Sequence, residues 1–233
     1  LRQAIQAAIE PRDVVEQVLR LPGLRPAESL FPSVLHAGER RFIDAWPLVP
    51  VERSRARAAQ LIEQARRELG GTGLPPLILL SSEDPSSVKL GEYLQARLAQ
   101  MLGLDVRLDR QIFKQRIQKM NSGDYDMVLA NWGPDFDDPI TFGELFASWN
   151  LINRGRFSSA EYDRLVRIAQ GAGDPAARFA AMNGLQILVR DEVPVIPLYE
   201  NARLYVQHPR LRGVVRAPFG GDPILRYAWL SPP

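Results

Sequence analysis

The stretch Leu77-Ile78-Leu79-Leu80-Ser81-Ser82-Glu83-Asp84-Pro85, followed through to Met127-Val128-Leu129-Ala130-Asn131, decides the fold. Leu77 to Leu80 is a short continuous apolar run, which predicts a buried strand. Asp84-Pro85 then supplies a capping residue and a proline suited to the first helical position. Leu90, Leu94, Leu98 and Met101 recur at helical spacing as the buried stripe, and Gly103 ends the helix. Leu104, Val106 and Leu108 alternate as in a strand, Ile112 to Met120 predicts another helix, and Met127 to Asn131 a third strand. Strand, helix, strand, helix, strand implies parallel pairing through right-handed crossovers, an α/β arrangement with helices on both faces of the sheet. Ligands of such open sheets sit beyond the carboxyl ends of the strands.

That end is where the next residues fall: Asn131-Trp132-Gly133-Pro134-Asp135-Phe136-Asp137-Asp138-Pro139. Two aromatics and three carboxylates in one turn after a strand make a rim fit for a cationic group. Asp137 and Asp138 are read as caps for a helix that starts near Pro139 and runs over 140–148. Trp132 and Phe136 either line a cleft or pack between the turn and that helix.

Outward from this core, residues 1–20 predict a helix pair, with Pro11 in the first turn of its second member. Residues 21–50 carry Pro22, Pro26, Pro32, Pro47 and Pro50 and read as an extended segment, with Trp46 as a cover over its neighbour. A helix is predicted over about 52–69, ended by Gly70-Gly71, its arginines (counted with Arg53) on a solvated face. Ser158 and Glu161 have capping-box spacing ahead of Tyr162, Leu165, Val166 and Ala169. Asp174-Pro175 opens a helix to about Arg190 with Phe179, Met182 and Leu185 inward. Residues 195–199 and 203–206 read as two adjacent strands, and 225–229 as a last one. Trp149 reads as packing.

Composition bounds the function. The 233 residues are 45% hydrophobic and 24% charged, with a net charge of +2, which gives no reason to expect a nucleic-acid partner. Cysteine is absent, which excludes disulfides and thiolate metal sites, and with only His36 and His208, far apart in sequence, no histidine-based zinc or triad site is expected. No apolar run approaches the roughly 20 residues that span a membrane. The chain opens at Leu1 in a helical pattern, as expected of a mature form or a piece of a longer protein.

Several separated segments resemble the periplasmic solute-binding proteins of peptide-type ABC transporters. Leu1 to Arg12 is similar to that family's arginine–alanine helix, with Glu10 and Pro11 as departures. Gly123-Asp124-Tyr125-Asp126 followed by Trp132-Gly133-Pro134-Asp135-Phe136-Asp137-Asp138-Pro139 resembles its Gly-x-Tyr-Asp strand and Trp-x-x-Asp-Tyr-x-Asp-Pro turn. Val195-Ile196-Pro197-Leu198-Tyr199 resembles its Pro-Ile-x-Pro-Leu-Tyr strand.

The resemblance implies that residues 1–233 form the C-terminal lobe of a two-lobed protein, with about 207–233 returning toward a first lobe that would precede Leu1. It implies a periplasmic location, a peptide or other small solute as ligand, membrane permease subunits as partners, and no cofactor. It singles out Asp135 for the ligand's α-amino group, and Asn131 and Gly133 for backbone hydrogen bonds to it, with Trp132 and Phe136 beside them. Members that hold a peptide's terminal carboxylate from this lobe use positions matching Met120 and Leu129. Neither is basic here, which points away from a tripeptide-like cargo. Two other classes are weighed: a ligand sensor fused to a DNA-binding segment, and a glycoside hydrolase built on Asp135, Asp137 and Asp138. Three carboxylates within one turn rarely face each other across a substrate, and no nucleophile–base pair is present. No enzyme is expected.

Overall fold

The computed structural model describes residues 1–71, 73–133, 138–216 and 222–232. The chain opens with α1 (Arg2–Ala8) and the short α2 (Pro11–Asp13), whose first backbone donors are met by the Glu10 side chain bonding Arg12 N at 3.3 Å. The second member of the expected helix pair then widens into a π-helix over Val14–Leu19, which ends on Arg20 in the left-handed region. The proline-rich segment is extended, as read, but not featureless: it holds β1 (Arg25–Pro26), the antiparallel pair β2 (His36–Ala37) and β3 (Arg40–Arg41), and α3 (Phe42–Ala45).

Helix α4 (Arg55–Glu68) is capped by the Ser54 hydroxyl. Arg53 corrects the expectation of a solvated arginine face. It lies ahead of the cap with its side chain 11% exposed, pairs with Glu28 at 2.8 Å and donates to the Ile9 carbonyl at 2.9 Å.

The decisive stretch folds as β4 (Leu77–Ser82), α5 (Pro85–Leu102), β5 (Val106–Gln111), α6 (Phe113–Ser122) and β6 (Met127–Val128). Among the described residues these strands form one parallel sheet in the order β5-β4-β6. The chain leaves β4 to one side and comes back on the other, so right-handed crossovers set α5 and α6 on opposite faces. Asp84 caps α5 through Ser86 N and Ser87 N, Pro85 takes the first position, and Gly103, at φ +63°, closes the helix with its N–H on Ala99 O. Leu90, Leu94, Leu98 and Leu102 are the buried stripe; Leu102 takes the inward place expected of Met101, which is half-buried.

Two expectations for the strands need correction. Ile78 is 36% exposed, so β4 is not buried along its whole length. And β6 stops at Val128 rather than Asn131. Leu129 N still donates to Leu80 O at 2.9 Å, while its own carbonyl accepts from Arg116.

The rest is helical. Beyond the turn, α7 (Ile140–Gly143) is shorter than the 140–148 helix expected. Helices α8 (Ala160–Gly171) and α9 (Pro175–Glu192) pack around Tyr162, Leu165, Val166, Met182, Leu185 and Val189, with Phe179 half-buried. Ser159, not Ser158, caps α8 through Tyr162 N, while Asp174-Pro175 opens α9 as read. Trp46 packs against this second core and its carbonyl accepts from Gln186 at 2.9 Å, which fits the covering role.

The predicted strand pair 195–199 and 203–206 does not form. Pro197 lacks a donor, and β7 (Tyr199–Glu200) instead takes β1 as its antiparallel partner. Leu204, Tyr205 and Val206 are exposed outside any strand. The last strand is shorter and later than expected: β9 (Trp229–Leu230) pairs with β8 (Leu211–Arg212).

Candidate functional site

Three chain segments meet at the carboxyl end of the parallel sheet. Strand β4 runs into the Asp84 cap of α5, β5 into Ile112 and the first turn of α6, and β6 into Leu129–Gly133. Since the strand order reverses about β4, this end is where such a sheet leaves a crevice.

Asn131, Trp132 and Gly133 are exposed on this rim, with Trp132 at 38%. A side chain added at Gly133 would meet none of the described residues within 4 Å. Asp135 and Phe136, with Pro134 and Asp137, lie outside the described residues. Asp138 is placed firmly: its Oδ1 accepts from Ile140 N at 2.8 Å, and Arg178 Nη2 reaches its two oxygens at 2.5 and 2.8 Å. It bonds the first helical N–H from one position ahead of Pro139, which is the N-cap of α7, and a guanidinium locks it there. That pairing takes it out of any carboxylate dyad, against the hydrolase alternative.

Other residues reach this end without having been singled out from the sequence. Tyr199 lies close enough to Asp84 that the carboxylate, after burial itself, raises its phenol pKa. Ile112 and Phe113 are 47% and 71% exposed at the start of α6. Arg116, one turn on, donates to the Leu129 carbonyl at 3.0 Å. The signal for Ile112 and Phe113 was present, two apolar residues directly after a polar strand end; Arg116 was one arginine among many. Behind the rim, Lys119 ties α6 to β5 through Asp109 at 2.5 Å and reaches Asp124 at 3.4 Å. The bond to Asp109 is the main reason the Lys119 pKa is raised. Trp149 corrects an expectation: it is 45% exposed beneath the Arg167 guanidinium, 4.5 Å from its ring centroid.

Residues 1–153 match the family model described as "Bacterial extracellular solute-binding proteins, family 5 Middle". The chain belongs to that family. Among the relatives of this family 5 chain, the dipeptide-binding protein DppE of Bacillus subtilis (strain 168) is 28% identical over 221 residues, which cover 94% of the chain but 40% of DppE. The substrate-binding domain of an oligopeptide ABC transporter from Bacillus anthracis str. Ames superposes with a TM-score of 0.90 at 29% identity, over 99% of this chain and 45% of that one. A peptide-binding protein of a peptide ABC transporter, 31% identical, matches with a TM-score of 0.78 over 85% of this chain and 88% of its own. The chain therefore spans under half the length of DppE, and its α/β fold is that of a solute-binding lobe.

Proposed function

We propose that this chain is the C-terminal lobe of a periplasmic solute-binding protein that captures peptides or similar small solutes and delivers them to the permease of an ABC importer. The observation that carries this reading is the exposed Asn131–Gly133 rim at the carboxyl end of a parallel sheet in a family 5 lobe. Residues 1–233 supply one wall of the cleft, and the segment from about 207 runs back toward the other lobe. Ligand contacts on both walls favour the closed form over the open one, a population shift with no bond made or broken. The chain is a binder and not an enzyme.

Within the rim, Asp135 takes the α-amino group of the ligand, Asn131 and Gly133 offer backbone groups to its main chain, and Trp132 and Phe136 flank it. A carboxylate and an ammonium removed from water together depend on each other, and deleting one partner of such a pair costs about 3–5 kcal/mol. Calorimetric titration of the full-length protein tests this. Asp135→Ala is expected to weaken peptides with a free amino terminus by that amount and to leave their N-acetylated forms nearly unchanged. Equal loss for both forms removes Asp135 from the amino-group role.

A further inference from the structure

Arg116 stands in the first turn of α6 with its guanidinium drawn over the end of the parallel sheet. Its Nη1 donates to the Leu129 carbonyl at 3.0 Å and lies 3.8 Å from Met120 Sδ. The Phe113 ring sits 5.8 Å from the guanidinium carbon. These contacts use one end of the planar group and leave the edge formed by Nε and Nη2. Nε is shut away from solvent with no hydrogen-bond partner, and Nη2 has none among the described residues. A buried donor left unpaired is costly and rarely kept without a reason.

Elsewhere in this chain that same edge holds carboxylates. Arg41 gives Nε and Nη2 to Asp44 at 2.6 and 2.9 Å, and Arg164 gives them to Glu161 at 2.8 and 2.6 Å. Arg190 holds Asp191 in the same way at 2.6 and 2.9 Å. Among the described residues, Asp109 and Asp124 are engaged with Lys119, and Glu92 with Arg110. A planar fork with two parallel donors, beside a carbonyl two residues before the exposed rim, matches the two oxygens of a carboxylate.

We propose that the Nε–Nη2 edge of Arg116 holds a carboxylate of the bound solute, making Arg116 a specificity-determining residue of the cleft. The proposal rests on the reading of this rim as a peptide-binding wall. Nη2 takes the first oxygen directly. Nε, buried beside it without a hydrogen-bond partner, is the second donor of that edge. Without a ligand the arginine serves only to prop the Leu129 carbonyl where β6 leaves β4.

The test is calorimetry on the full-length protein and its Arg116→Gln and Arg116→Lys variants, with thermal melts alongside. The probes are di- to penta-alanine as free acids, the same peptides amidated at the carboxyl terminus, and amidated forms with one alanine replaced by glutamate. The wild type is expected to favour a carboxylate-bearing peptide over its neutral counterpart by roughly tenfold or more. Arg116→Gln should bind the two alike, and Arg116→Lys, which keeps charge without the fork, should fall between. A preference for the free acid assigns the terminal carboxylate, and one for the glutamate amide assigns a side chain; either supports the role if Arg116→Gln abolishes it. A preference that survives in Arg116→Gln, or an equal loss for acid and amide with a lowered melting temperature, overturns it and leaves only the prop. Failure of the wild type to bind any of the peptides would instead remove the peptide reading and this role together.

Discussion

Asp84 shows how much one side chain decides. Its carboxylate ends β4, starts α5 and stands at the mouth of the candidate cleft. Burial works to raise its pKa, but the hydrogen bonds from Ser87 and Ser86 outweigh that and hold it below the ordinary value of 3.8. Replacing it by alanine is expected to lower the unfolding free energy by about 1 kcal/mol, measured by urea denaturation at neutral pH. The sign of the pH dependence follows from the depressed folded-state pKa. The stabilisation is complete above the carboxyl's unfolded value and is lost as pH falls through the lower folded one. The gap between wild type and Asp84→Ala should therefore stay level from pH 7 to about 5 and narrow below about 4. A gap that widens on acidification would contradict the cap. This residue was legible from Asp84-Pro85 alone, because a cap acts within three positions of itself. Arg53 was not. Its partners Ile9 and Glu28 lie 44 and 25 positions away, and nothing local in the sequence distinguishes it from the solvated arginines that follow. Ser158 and Ser159 offered two equivalent hydroxyls, and only the backbone around Tyr162 chose between them.

At the scale of elements, helices were read better than strands, for a physical reason. A helix satisfies its own backbone, so caps and a 3.6-residue stripe suffice to place α5, α8 and α9. A strand needs a partner edge. Residues 203–206 have the pattern of a strand yet lie exposed, because the edge of Tyr199–Glu200 is paired to Arg25–Pro26, a segment some 170 residues earlier in the chain. Similarly, β6 ends at Val128, and just beyond it the Leu129 carbonyl accepts from Arg116, a partner the local pattern did not show. The packing of α8 on α9 was legible in its stripe and can be tested through Leu185, which is fully buried with its Cδ1 3.0 Å from where a side chain at Gly143 would begin. Leu185→Ala removes this filling from between α7, α8 and α9. It should cost about 2–5 kcal/mol in chemical denaturation, and a loss under about 1 kcal/mol would show that the helices close over the gap.

Over the whole molecule, the parallel pairing, the crossovers and the position of the rim were present in the alternation of residues 77–131, and the family's turn added Asp135 to it. The order β5-β4-β6 came only with the structure, as did the exposed far end. Leu204, Val206, Leu225, Tyr227, Trp229 and Leu230 each keep more than half of their surface open. On the proposed reading these residues lie in or just before the segment that returns toward the other lobe. The most direct test of this account is calorimetry of the 233-residue chain and of the full-length protein against one peptide with a free amino terminus. The account predicts saturable binding by the full-length protein and no measurable heat from the chain alone, because one wall supplies only part of the contacts. Binding by the chain alone with a Kd below about 1 µM, a free energy beyond about −8 kcal/mol, would contradict it.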